Sequence, residues 1–554
     1  AASDVYKRQQ ESSITFMQSQ DNVELAIVGL YNMLTFSRGS GPDGDWVDNH
    51  FDCYFGSMMS DDSEKGSQPA DNPNGLTQLT MFQLTPSLAL NNYFYIHGFW
   101  GVSRANFILD NVASTDFPAD IKRRMMGEAH FFRAYYYYYL LQHYGGMPIF
   151  RSSVTASDFG SIPRASYSET MQFIIDELKE AEELLPNREE YGSSDLGRAS
   201  KGAARGMLAR VMLYRLGTDT ECPDTWQDLY DVTNSIITSG SYQLVPNYAT
   251  LFEEITDGDY RRESLFEYTG KNGSQNAGMV LSWFFERNRS AAGGWGFNQP
   301  TQNLVDMYEM DNGLTKEEAG DYYDPKHPFA NRDPRMDMTV LFPGQEWRGE
   351  ILNTLDEMIE GKKNLNYPTY TDNASKSALT WAKYLDPYDQ YANIWNTAAC
   401  VIIFRYAEVL LSWAEAENEL NGPSAQVYDY IDQIRQRVGM VKVDRGKYAT
   451  KDALRELIHR ERCVEFAGEG LRRADILRWK DGNGKMLAET VLNGELRRIT
   501  GTVNYNEPDK YKRAEITGTA LIETRKFAPK NRYLPISQTD VLDKNPNITQ
   551  NPGY

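Results

Sequence analysis

What the chain lacks narrows its function first. Four cysteines, Cys53, Cys222, Cys400 and Cys463, are scattered over 554 residues without C-x-x-C spacing. Neither a zinc ribbon nor a disulfide framework is indicated, and Cys463 reads as a small buried residue. No run of about 18 apolar residues occurs, so no segment reads as a membrane-spanning helix. The six histidines stand singly. H-E-x-x-H, G-x-S-x-G and the phosphate-cradling G-x-x-x-x-G-K-S/T are missing, and no enzyme signature remains. GSGPDG at 39–44 fits G-x-G-x-x-G, but no strand precedes it and Pro42 interrupts it. Positive charge is scarce: 57 Lys and Arg against 77 Asp and Glu leave a net −20, which disfavours nucleic acid and anionic headgroups.

What is present is an apolar fraction of 41%, enough for a sizeable core, with 35 tyrosines and 10 tryptophans. Flat rings with polar tips suit sugars, although most will serve packing. The organising stretch is LRELIHRERCVEFAGEGLRRADILRW, residues 454–479. Leu454, Leu457 and Ile458 make a buried helical stripe whose continuation lands on Glu461 and Glu465. Carboxylates on a core-facing stripe must be paired, because an unpaired buried charge costs several kcal/mol, roughly, in lost hydration. Arg460, Arg462, Arg472, Arg473 and Arg478 are the nearby candidates. The expected structural cluster is Glu461, Arg462, Glu465, Arg473 and Asp475, with the helix stopping near Gly468 or Gly470. Two acids four apart also suit a glycosidase, which needs carboxyls about 5 to 9 Å apart. Both, however, leave one side of one helix and cannot flank a glycosidic bond, and guanidiniums would hold both ionised, leaving no proton donor.

Helical patterning frames the rest. Residues 22–36 place Leu25, Val28, Gly29 and Asn32 at helical spacing, and helices follow at 91–112 and 119–144. The tyrosines at 135–139 point around every side of the latter, so they fill gaps between neighbouring helices rather than form one platform. Ser166 and Glu169 make a capping box ahead of Met171, Ile174, Ile175, Leu178 and Leu185. Further helices are predicted at 202–216, 226–239, 404–420 and 426–438, the last two pairing antiparallel across Asn421, Gly422 and Pro423. Amphipathic pairs that cannot bury their faces alone indicate tetratricopeptide-type repeats, although a strict 34-residue period is absent. Residues 38–87 and 242–400 are irregular, with short apolar runs between turns. Pro535, Pro546 and Pro552 exclude helix from the tail and imply an extended strap at 530–554.

The E-R-x-x-E-F-x-x-E-G-L-R-R-x-D-I-L-R-W run resembles the signature of the SusD-like (SusD/RagB) family of bacterial outer-membrane nutrient-binding lipoproteins. GEAHFFRAYYYYYLLQHYGGMPI at 127–149, FRYAEVLLSWAEAENELNG at 404–422, SDDSEKG at 60–66 and LPISQTDVLDKNPNITQNPGY at 534–554 resemble family segments in family order. The resemblance implies a mainly α fold: one domain over 1–554 in which a tetratricopeptide-like bundle (about 20–37, 88–240 and 401–480) carries ligand-binding loops (about 38–87) and an irregular, short-strand insertion (about 241–400). It implies capture of an oligosaccharide and delivery to a SusC-like TonB-dependent transporter, or, as in the RagB branch, capture of peptide. A pure interaction scaffold and a hydrolase are the remaining alternatives. Attachment through a lipid anchor is also implied; the opening AASDVYKRQQ reads as neither a secretory n-region nor a lipobox, so the true start is expected upstream.

A sugar site needs an exposed aromatic plane bordered by Asp, Asn, Gln or Arg. The places that match the family's ligand loops are Trp46 with Asp48, Asn49 and His50, the polar loop holding Asp71 and Asn72, Trp283 with Phe284 and Arg287, and Trp347 with Gln345 and Arg348. Trp295 and Trp381, inside family-like segments, read as fold. Asp61 and Asp62 lack the spacing of a calcium loop, so a docked turn is the better reading. No cofactor is expected, with a structural calcium the one alternative left open.

Overall fold

The computed structural model describes residues 15–34, 53–66, 75–252, 259–269, 296–368, 374–385 and 400–554. They group into two compact units, one from 1–50, 84–225 and 530–554, the other from 51–83 and 226–529. The fold is mainly helical.

The first unit is a run of helices, α1 (Gln20–Asn32), α2 (Ala89–Val112), α3 (Ala119–Tyr144), α4 (Tyr167–Leu184) and α5 (Lys201–Thr218). From α2 onward each packs on the next, as helix-turn-helix repeats require. The capping box at Ser166 and Glu169 starts α4, and Met171, Ile174, Ile175 and Leu178 form its buried stripe. The tyrosine run of α3 spreads among its neighbours. Tyr136 donates to the Leu30 carbonyl at 3.1 Å, Tyr137 to that of Pro148 at 3.0 Å, and Tyr138 packs edge-on against Tyr214 at 6.1 Å.

Two local expectations are corrected here. In α1 the buried residues are Val23, Ile27 and Leu30, whereas Leu25 and Val28 are 64% and 44% exposed. Two stripes overlap in NVELAIVGLYN, and the one completed by Gly29 and Asn32 offers less apolar area to bury. In the tail, Gln538–Leu542 forms one π-helical turn between Pro535 and Pro546, with Ser537 accepting from the Asp540 amide. Prolines eleven positions apart leave room for a turn. The segments around it are non-repetitive and are held to helix ends: the Leu534 amide donates to the His143 carbonyl at 2.7 Å, and Arg164 donates to the Thr549 carbonyl at 2.8 Å.

The second unit contains α6 (Trp226–Ser239), α7 (Tyr406–Asn421), α8 (Ala425–Gln436), α9 (Lys451–Glu465) and α10 (Arg472–Arg478). Its strands include β1 (Ser63–Lys65), β2 (Ser264–Thr269), β3 (Asn298–Pro300), β4 (Glu346–Trp347), β5 (Glu350–Ile351), β6 (Cys400–Arg405), β7 (Gly494–Val503) and β8 (Ala514–Arg525). Helices α6 and α7 pack together although the long irregular segment separates them in sequence, with Tyr230 and Trp413 at 5.3 Å. The antiparallel β2–β6 ladder ties the two ends of that segment. Phe404 and Arg405 therefore belong to a strand, and the helix predicted at 404–420 begins at Tyr406. A run as β-branched and aromatic as CVIIF favours the ladder. The β7–β8 hairpin had no counterpart among the predicted elements, although its alternation of Ile, Val and Thr was readable. Trp381 is fully buried, its indole donating to Asn298 at 3.0 Å.

Candidate functional site

The buried charge cluster comes first, because it decides whether the chain holds acid–base machinery. Thr450 caps α9, and its periodicity drives Leu454, Leu457, Ile458, Glu461 and Glu465 to the same interior. Arg335 Nη1 lies 2.5 Å from Glu461 and 2.9 Å from Glu465. Glu465 also takes Arg405 at 2.8 Å and Arg437, while Glu461 has Arg435 at 3.6 Å. The helix ends before Gly468 and Gly470, both at positive φ.

None of the five arginines named from the sequence supplies these contacts. Arg462 and Arg478 each meet Asp475 at 2.9 Å, Arg472 meets Asp61 at 2.7 Å, Arg460 meets Glu309, and Arg473 donates to the Met59 carbonyl at 3.2 Å. The partners come from distant segments, which spacing along one helix cannot reveal. Arg335 sits in RDPR at 332–335, a motif rigid enough to hold Asp333 on the same guanidinium at 2.6 Å.

The two glutamates differ electrostatically. Burial raises both, but the guanidiniums of Arg437, Arg405 and Arg335 win at Glu465 and hold it well below the usual carboxylate range. At Glu461, burial outweighs Arg335 and Arg435, with Asp333 adding to the rise, so its carboxyl sits above the ordinary value. The two carboxyls thus shift in opposite directions, although each has guanidinium partners. Neither lines an opening: Glu461 is 2% exposed and Glu465 0%. The arrangement is a structural lock rather than a pair flanking a substrate.

Among the sugar-site candidates, Trp46, Asp48, Asn49, His50, Asp71, Asn72, Trp283 and Arg287 lie outside the described residues. Trp347 is half-buried on the β4–β5 hairpin, whose turn places Arg348 and Gly349 at positive φ. The Arg348 guanidinium lies 5.3 Å from the indole centroid, and the indole Nε1 has no hydrogen-bond partner. Gln345 is occupied by the turn, its side-chain oxygen accepting from the Phe342 amide at 3.1 Å. Sequence reasoning missed Tyr505, which is 46% exposed in the loop between β7 and β8. Its hydroxyl accepts from Asn353 at 2.9 Å, and the same asparagine donates to Asp356 at 2.8 Å. Arg513, at the other end of that loop, meets Glu346 at 3.1 Å. Hence the loop bearing Tyr505 is tied to the hairpin bearing Trp347 through Arg513 and Glu346, and Tyr505 itself is bordered by amide and carboxylate. The signal was an aromatic inside the Asn-rich turn VNYNEPD.

A concave feature lies in the first unit. A cleft of about 600 Å³ opens between the first turn of α3, the end of α4 and the loop at 186–200. Leu184, Leu185, Pro186 and Tyr191 contribute its apolar lining, and Asp120, Arg123, Glu190 and Lys201 are among its polar groups.

Asp61 is committed to Arg472, and Asp62 accepts from Ser57 at 3.0 Å and Ser60 at 2.7 Å, so the SDD of SDDSEKG forms a docked turn and its SEK continues as strand β1. Among the described residues no group of three or more His, Cys, Asp or Glu converges as a metal site would, and no helix is long and apolar enough to cross a membrane. Cys463 is a buried free thiol that burial pushes up to about 12.

These features define a class: a helical-repeat frame, locked internally by Arg–Glu pairs, that carries irregular segments with aromatic and polar tips. Residues 257–554 match the SusD family model, and residues 59–213 match one described as starch-binding associating with outer membrane. The chain belongs to the SusD family. It is 26% identical over 512 residues to a SusD-like protein of Formosa agariphila, covering 88% of each. It is 24% identical over 575 residues to one of Bacteroides ovatus, covering 97% of this chain and 92% of the other. A SusD-like carbohydrate-binding protein from Bacteroides fragilis superimposes with a TM-score of 0.80 at 23% identity, covering 97% of this chain and 100% of that one. Surface glycan-binding protein A from Bacteroides thetaiotaomicron, solved with laminarihexaose, gives 0.67 at 19% identity, covering 96% and 99%. These structures share the fold.

Proposed function

We propose that this chain binds carbohydrate at the outer membrane, capturing an oligosaccharide without altering it and handing it to a SusC-like TonB-dependent transporter. The observation that carries the reading is the match of residues 257–554 to the SusD family. Structural neighbours named for carbohydrate binding, one of them holding laminarihexaose, support the ligand class. The family description supports outer-membrane association. Surface exposure and a lipid anchor belong to the same proposal.

The chemistry agrees. A net charge of −20 tolerates a neutral ligand and repels nucleic acid. Trp347, and Tyr505 with Asn353 at its hydroxyl, offer ring faces and hydrogen-bonding groups, as do the Trp46 and Trp283 groups by their sequence. Such contacts need no cofactor. A few stacked rings with bordering hydrogen bonds give roughly micromolar to millimolar affinity. Burial and ion pairing of Glu461 and Glu465 support capture over hydrolysis.

A glycan array followed by calorimetry on the purified chain tests the ligand class. Binding of a peptide pool with no glycan bound would transfer the protein to peptide uptake, and reducing ends released from polysaccharide would make it a hydrolase. Co-purification with a co-expressed TonB-dependent transporter tests the partner.

A further inference from the structure

We propose that the cleft at the α3–α4 end of the first unit is a separate carbohydrate subsite, taking a short neutral oligosaccharide; this rests on the capture reading above. At about 600 Å³ the cleft falls among small-molecule sites, about 300–1,000 Å³. It also meets the requirement for a sugar site, an aromatic plane with a polar border. The half-buried Tyr191 is fixed through its hydroxyl, which donates to the Ala199 carbonyl at 2.8 Å. A Cβ on the adjoining Gly192 would meet nothing within 4 Å beyond its chain neighbours, so the rim of the cleft at that position is open. Leu184, Leu185 and Pro186 supply apolar surface for the C–H faces of sugar rings.

The border is polar and only partly used. Among the described residues Asp120 and Lys201 make no side-chain hydrogen bond or ion pair, Arg123 spends one guanidinium nitrogen on the Glu183 carbonyl at 2.8 Å with the Glu183 carboxylate at 4.0 Å, and Glu190 spends one oxygen on the Asn187 amide at 2.7 Å. Asp120, Glu183, Glu190 and Asp195 nearly balance Arg123, Arg124 and Lys201. A balanced border has no net preference for a charged polymer and presents both donors and acceptors to hydroxyls.

The walls are also held in place. Arg124 meets Glu128 at 2.6 Å, Arg198 meets Glu128 and Glu24 at 3.0 Å, and the Tyr31 hydroxyl donates to Glu128 at 2.7 Å while accepting from the Ala199 amide at 2.8 Å. A site built before the ligand arrives loses less entropy on binding.

Calorimetric titration of the whole chain with maltohexaose and laminarihexaose tests this, using Tyr191→Ala, Tyr191→Phe and the Asp120→Ala/Lys201→Ala pair. The expected result is more than one class of site in the parent chain, the class belonging to this cleft being weakened about tenfold by Tyr191→Ala and by the paired variant and changed less than about twofold by Tyr191→Phe, which keeps the ring. The paired variant alters only partnerless border groups, so it decides the matter should Tyr191→Ala fail to fold. If the parent binds and the paired variant titrates identically, the subsite is overturned while capture stands. If no glycan on the array binds the parent, both fall. Binding of a mixed-charge peptide pool that the paired variant abolishes, with no effect on glycan, would overturn the subsite in favour of a peptide groove.

Discussion

Arg335 donates to Glu465 at 2.9 Å across 130 positions of sequence, and the same nitrogen reaches Glu461 at 2.5 Å. One guanidinium therefore couples the irregular segment to the helix that carries the family signature. Arg335→Met leaves Glu461, Glu465 and Asp333 each short of a buried partner. The expected loss is about 3–5 kcal/mol, because the stranded charges keep their desolvation cost. Urea unfolding checks this; a loss below about 1 kcal/mol would mean the cluster is not a lock.

Glu64 faces Gln299 across β1 and β3, and neither carboxylate oxygen nor either amide atom has a hydrogen-bond partner. Burial pushes the carboxyl up to about 7 from an ordinary 4.5; Lys376, Arg525 and Lys65 oppose the rise and Glu523 adds to it. The folded state thus binds the proton more readily than the unfolded chain. Its contribution to stability is fully present below about pH 4.5 and is lost as pH rises through about 7, at a stake of about 3 kcal/mol. Glu64→Gln should remove that slope, so the difference in unfolding free energy between variant and parent should grow from pH 5 to 8. A constant difference would contradict the assignment.

A Cβ on Gly56 would sit 2.0 Å from the Gly470 carbonyl oxygen, a backbone atom that cannot swing aside. Gly56→Ala is expected to destabilise by about 1–3 kcal/mol, through forced separation of the turn at Cys53–Met58 from the segment after α9. Thermal melting measures it, and an unchanged midpoint would show that the contact yields freely.

Trp347→Ala and Tyr505→Ala address the aromatic groups of the second unit. Each is expected to weaken glycan binding about tenfold, with stability changed by less than about 1 kcal/mol for the exposed Tyr505. Affinity within twofold of the parent in both variants would remove this patch from the binding surface and leave the Trp46 and Trp283 groups.

The helices were legible because their signals are local. Ser166 and Glu169, three apart, announced a helix start that depends on nothing distant, and the buried acids of α9 were visible as a break in an apolar stripe. The ion-pair partners were not legible: Arg335, Arg405, Arg435 and Arg437 reach Glu461 and Glu465 only once distant segments meet. The same limit hid the stripe choice in α1 and the tie between the Tyr505 loop and the Trp347 hairpin, since both turn on which neighbour covers a surface.

By itself, then, the sequence determined the helical character, the ends of most helices and the need to neutralise two interior carboxylates, because capping, periodicity and desolvation act within a few residues. Tertiary structure alone decided which guanidiniums do the neutralising, how α6 finds α7 and where aromatic rings and polar groups adjoin, because those outcomes belong to contacts between segments far apart along the chain.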